Sequence, residues 1–97
     1  MRMMLKTTIP VEYGNRAISD GTIAKILEGV MTDLKPESSY FFAEGGERAA
    51  LLVFDMTDAS DIPPAVEPLF NELNAKVDLI PCMNVEDLEA GLQKYGR

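Results

Sequence analysis

Histidine and tryptophan are both missing from these 97 residues, and cysteine occurs once, as Cys82. Without histidine there is no Ser/His or Cys/His nucleophile pair, no His-ligated metal and no haem ligand of the usual kind. A single cysteine excludes an intramolecular disulfide and any CxxC redox or zinc motif. Positive charge is also scarce. Nine Lys/Arg against sixteen Asp/Glu leave a net charge of −7, split as −1 over residues 1–50 and −6 over residues 51–97. An acidic chain without a basic stripe repels phosphate backbones and anionic lipid surfaces, so neither nucleic acid nor membrane is an expected partner. The longest apolar run is Ala49 to Phe54, far short of the roughly 20 residues of a membrane-spanning helix. Met1 to Lys6 lacks the apolar stretch of about 7–15 residues that a secretory signal requires. The expectation is a cytoplasmic protein that needs no metal and no cofactor.

Hydrophobic residues make up 46% of the chain and charged residues 26%, an ordinary globular composition that predicts one domain over residues 1–97. Residues 3–9 read as a strand, with Met3, Leu5, Thr7 and Ile9 on one face and Arg2, Met4, Lys6 and Thr8 on the other. After Gly14-Asn15, read as a helix entry, Ile23, Ile26, Leu27, Val30, Met31 and Leu34 repeat at helical period. Lys35-Pro36 stops that helix. Ser39 to Glu44 is an aromatic-rich strand, and Gly45-Gly46 is a tight hairpin signal. Arg48 to Met56 is apolar on both parities, Ala49, Leu51 and Val53 against Ala50, Leu52, Phe54 and Met56. A strand of that kind has to be covered on both faces.

Pro63-Pro64 suits a first helical turn, and Ser60 or Asp61 is the expected cap. Ile62, Val66, Leu69, Phe70 and Leu73 form the stripe of this second helix, with Pro68 inside it. Val77 to Met83 is a fourth strand, which Pro81 assigns to an edge or a bulge. Asn84 and Asp87 make a capping-box pattern for a short last helix whose Val85, Leu88 and Leu92 should point inward.

The resulting order, strand, helix, strand, strand, helix, strand and a short C-terminal helix, predicts an α+β, ferredoxin-like split βαββαβ fold. Its four-stranded antiparallel sheet carries helices on one face, leaving the other face apolar and bare in a monomer. A second copy of the sheet is the simplest cover, and a homodimer through the sheet face is expected.

Several stretches resemble a known family: Gly14-Asn15-Arg16-Ala17-Ile18, Phe54-Asp55-Met56, Glu67-Pro68-Leu69-Phe70, and Asn74-Ala75 through Pro81-Cys82-Met83-Asn84. With the element order, they are similar to the dimeric α/β-barrel superfamily, and more closely to short bacterial proteins of unknown function. The resemblance implies a barrel formed by two sheets. Members include small monooxygenases and isomerases, but none of these stretches is a catalytic signature.

Candidate ligand-binding residues follow from position. Lys6 lies on the uncovered parity, able to hold an anion or to form an ion pair with an acid such as Asp78. Asn15 and Arg16 lie at the supposed helix entry, where backbone N–H groups could hold a carboxylate or phosphate; a cap and a surface charge are the ordinary alternatives. Asp55, Asp58 and Asp61 lack the spacing of a calcium loop and read as a solvated acidic segment. Thr8, Tyr40, Phe42, Phe54 and Met83 complete the lining expected for a pocket between helices and barrel. The function expected first is therefore small-molecule binding by a homodimer. A cofactor-independent oxygenase or isomerase of the barrel type is the second possibility, and a structural or regulatory protein-interaction subunit the third.

Overall fold

The computed structural model describes residues 1–96. Its elements are β1 (Arg2–Ile9), α1 (Val11–Ser19), α2 (Thr22–Leu34), β2 (Ser38–Glu44), β3 (Glu47–Asp55), α3 (Ile62–Leu73), β4 (Lys76–Pro81) and α4 (Val85–Gly96), with a 3-10 turn at Ala59–Asp61. The strands form one open sheet in the order β2-β3-β1-β4, every neighbouring pair antiparallel. This α+β arrangement is compatible with a ferredoxin-like fold. No helix among the described residues is long and apolar enough to cross a membrane.

The register explains why β3 is apolar on both sides. Met3, Leu5 and Thr7 of β1 pair with Phe54, Leu52 and Ala50, and all of these share the helix-covered face. Leu5, Phe54 and Leu73 are the most completely enclosed side chains, at the centre of a core that α3 closes with Ala65, Val66 and Leu69. The opposite face carries three cross-strand rows: Ser38, Val53, Met4 and Ile80; Tyr40, Leu51, Lys6 and Asp78; and Phe42, Ala49, Thr8 and Lys76. Among the described residues no helix is seen to pack on these rows, and Tyr40 (62%) and Ile80 (46%) are exposed. Pro81 ends β4, which lies at the sheet edge as its proline predicts. Gly45 and Gly46 both have positive φ (60° and 79°), the backbone that a two-residue hairpin loop requires.

Three expectations need correction. The first crossover is a pair of helices, with Gly14-Asn15 inside α1 rather than at its entry. Pro10 takes the position before the first helical turn, so α1 starts directly after β1, and Gly21 at φ 79° then breaks the chain into α2. Asp61 does precede the first turn of α3, as expected, but its side chain makes no cap bond to that helix. The capping bonds lie at the 3-10 turn before it, where Asp58 Oδ1 accepts from the Ser60 N–H at 2.9 Å and Asp61 Oδ2 accepts from the Asp58 N–H. The third correction concerns α4. Asn84 and Asp87 do form the predicted reciprocal cap, but Val85, Leu88 and Leu92 do not point inward. They are 66%, 46% and 58% exposed, and Tyr95 is 88% exposed. Arg2, bonded to Glu37 at 2.7 Å and to Asp87 at 2.6 Å, ties the start of α4 beside the ends of β1 and β2, and the helix runs outward from there.

The Asp58 cap predicts a pH effect. Its backbone bond from Ser60, then the Ser60 hydroxyl, hold the carboxyl below its ordinary range. A depressed folded pKa gives stability that is present above the unfolded value of about 3.9 and is lost as pH falls through the folded one. Wild type should therefore melt above Asp58→Asn at pH 6, with the difference closing under acid conditions. Melting curves by circular dichroism at pH 6 and below about pH 3 check this; a gap that persists or widens contradicts it.

Candidate functional site

Helix α2 does not sit down on the sheet. None of its residues is buried: Ile23, Ile26, Val30 and Leu34 reach the core only in part, while Leu27 (40%) and Met31 (38%) are more exposed still. Beneath it, β3 presents Ala50 between Thr7 and Phe41 on the covered face. A methyl group there is too short to meet α2, and Phe41, at the outer strand, stays 58% exposed. The gap is a cleft of about 260 Å³. Ile23, Ile26, Leu27 and Val30 roof it, Leu5, Thr7, Ala50 and Leu52 floor it, and Phe41 and Phe42 stand at the β2 side. Thr7 has already committed its hydroxyl to the Lys76 carbonyl at 2.9 Å. Arg48, paired in register with Ile9, is the one charged residue of this lining.

Two other depressions differ in chemistry. A groove of about 610 Å³ between α2 and α3 has Phe54 and Met56 in its floor. Its rim carries Lys25, Asp33, Asp55, Asp61 and Glu72, a charged and mostly acidic border. On the uncovered face, Lys6, Thr8, Glu44, Glu47, Lys76 and Asp78 surround a charged hollow of about 300 Å³.

The expected site residues do not converge. Lys6, Thr8, Tyr40 and Phe42 lie on the uncovered parity of the sheet, and of these only Phe42 also borders the apolar cleft. Lys6 pairs with Glu44 at 2.6 Å rather than with Asp78, its register neighbour. Phe54 belongs to the core on the other face, and Met83 is 64% exposed in the loop after β4. Arg16 stacks its guanidinium 5.2 Å from the Tyr13 ring centre and lies 3.8 Å from Glu12. Asn15 reaches a group of the cleft lining, since its Oδ1 accepts from Arg48 Nη2 at 3.1 Å. Asp55, Asp58 and Asp61 are engaged separately: Asp55 accepts from the Met1 amino group, and the other two serve the cap.

Sequence reasoning missed Arg48, Thr7, Ala50 and the α2 roof. One signal was present: Arg48 has the parity of Ala50, Leu52 and Phe54, so a charge begins the inward face of the most apolar strand. Compared with known proteins, the chain matches no family model and no curated protein.

Proposed function

We propose that this protein binds a small apolar molecule in the cleft between α2 and the sheet, and does so as a homodimer joined through the uncovered sheet face. The observation that carries the binding reading is the incompletely covered apolar stripe of α2 above the short side chain of Ala50. Apolar walls with few polar groups are the ordinary make-up of a ligand site. The lining holds one arginine and no acid–base pair, which favours binding over proton-transfer catalysis.

Surface area supports the dimer. A compact monomer of 10.7 kDa exposes about 5500 Å²; this chain exposes 6570 Å². The excess is close to the roughly 800 Å² that each partner contributes to a standard interface. The shape agrees: a radius of gyration of 15.3 Å against about 12.5 Å for a compact chain of this length. The excess fits two apolar surfaces that contribute little to the core of their own chain, the sheet rows around Val53 and the outward face of α4.

Octan-1-ol is a suitable neutral probe for the cleft. At ten times its Kd it should stabilise the protein by about 1.4 kcal/mol and raise the melting temperature by several degrees. Ala50→Leu places three more carbons in the cleft; it should abolish that shift without lowering the unliganded melting temperature. Equal shifts in both proteins, or none in wild type, would remove the cleft from the account.

A further inference from the structure

Arg48 is held in place by neutral groups. Its Nη2 donates to Asn15 Oδ1, and among the described residues no carboxylate forms an ion pair with it. A Cβ on Gly14 would lie 2.7 Å from Arg48 Nη1 and 3.3 Å from its Cδ, so the guanidinium lies on bare α1 backbone that a side chain would deny it. Glycine and asparagine, adjacent in α1, thus supply the space and the one fixed hydrogen bond. A guanidinium has five N–H donors, and the Asn15 carbonyl accepts from one of its nitrogens. The adjacent acid, Glu47, has the opposite strand parity and pairs in register with Glu44 on the other face.

We propose that Arg48 recognises the carboxylate of a small apolar monocarboxylic acid whose hydrocarbon body fills the cleft, an assignment that rests on the cleft reading above. A planar guanidinium matches a carboxylate through two parallel hydrogen bonds, and a neutral supporting shell leaves its charge uncompensated until such a ligand arrives. A phosphate would bring about two negative charges to a single cation in a chain of net charge −7. Distant acids do not defeat a carboxylate, because screening at physiological salt acts over about 8 Å. The cleft volume of about 260 Å³ corresponds to roughly nine non-hydrogen atoms at ~30 Å³ each, a body of about eight carbons.

Calorimetric titration of the full chain with octanoate and with octan-1-ol tests the assignment. Wild type should bind octanoate roughly tenfold to a hundredfold more tightly than the alcohol, the worth of charged hydrogen bonds. Arg48→Met should erase that preference, bringing octanoate down to the level at which the same variant binds the alcohol, and Arg48→Lys should keep part of it. Gly14→Ala keeps the charge but displaces the guanidinium, so it should weaken octanoate alone and serves if Arg48→Met folds poorly. If wild type binds both probes equally and neither Arg48→Met nor Gly14→Ala alters octanoate, the carboxylate role is overturned and the cleft stands. If wild type binds neither probe, the cleft reading fails and this assignment fails with it.

Discussion

Val53→Asp is expected to leave a folded monomer. Val53 lies on β3, an interior strand, in a row whose neighbours are Ser38 and Met4, so no cation stands directly opposite it to neutralise a new carboxylate. It is half-buried and lies outside the core cluster, which leaves the protomer's own packing in place. In a homodimer joined through this face, each interface would have to desolvate two unpaired charges, one from each copy. A cost of several kcal/mol per buried ion weakens association by more than about a hundredfold. Sedimentation velocity at micromolar concentration should show wild type at twice the protomer mass and Val53→Asp at the protomer mass, with matching circular dichroism spectra. A variant that still sediments as a dimer would move the contact to another surface, such as α4 alone.

The second large effect is expected at Leu5. It is fully enclosed on the central strand β1, flanked in register by Leu52 and Leu79. Leu5→Ala deletes three buried carbons at a place where both neighbouring strands are fixed by ladder hydrogen bonds, so the surroundings cannot collapse to fill the space. The cost should fall in the range of about 2–5 kcal/mol. For a domain with roughly 5–15 kcal/mol of total stability, that is a drop in melting temperature of about eight degrees or more at about 4–8 °C per kcal/mol. Chemical denaturation at fixed protein concentration measures it, and the fixed concentration matters because association adds to apparent stability. A loss below about 1 kcal/mol would mean that the core around Leu5 is less tightly formed than its enclosure indicates.

Much of the sheet was legible because strand patterns report faces directly. Gly45-Gly46 marked the hairpin, and of the edge or bulge that Pro81 suggested the structure has the edge. The two-parity apolar run of β3 marked apolar residues on both faces, of which the helices cover one. The split between α1 and α2 was harder to read. The apolar repeat begins only at Ile23, and Gly21 reads in sequence as a weak point of one helix; the left-handed backbone there makes it a break. Helix α4 shows the other limit. Val85, Leu88 and Leu92 carry the spacing of a buried face, but spacing says only that an apolar partner suits the helix, not that its own chain supplies one. The candidate site depended on a quantity that sequence patterns do not encode, the distance between layers. That distance follows from side-chain length at Ala50 beneath α2, and from the room that Gly14 leaves for Arg48. Lys6 is a charge on the uncovered parity of β1, and Glu44 pairs with it. Arg48, the second residue of β3 after the hairpin, has no acidic partner among the described residues.

The most direct test of ligand binding beneath α2 is a methyl-resolved nuclear magnetic resonance titration of the wild-type protein with octan-1-ol. The methyl signals of Ile23, Ile26, Leu27, Val30 and Ala50 should move together and saturate, while those of Val53 and Ile80 on the opposite face stay still. Signals beneath α2 that remain fixed, or movement confined to Val53 and Ile80, would contradict it.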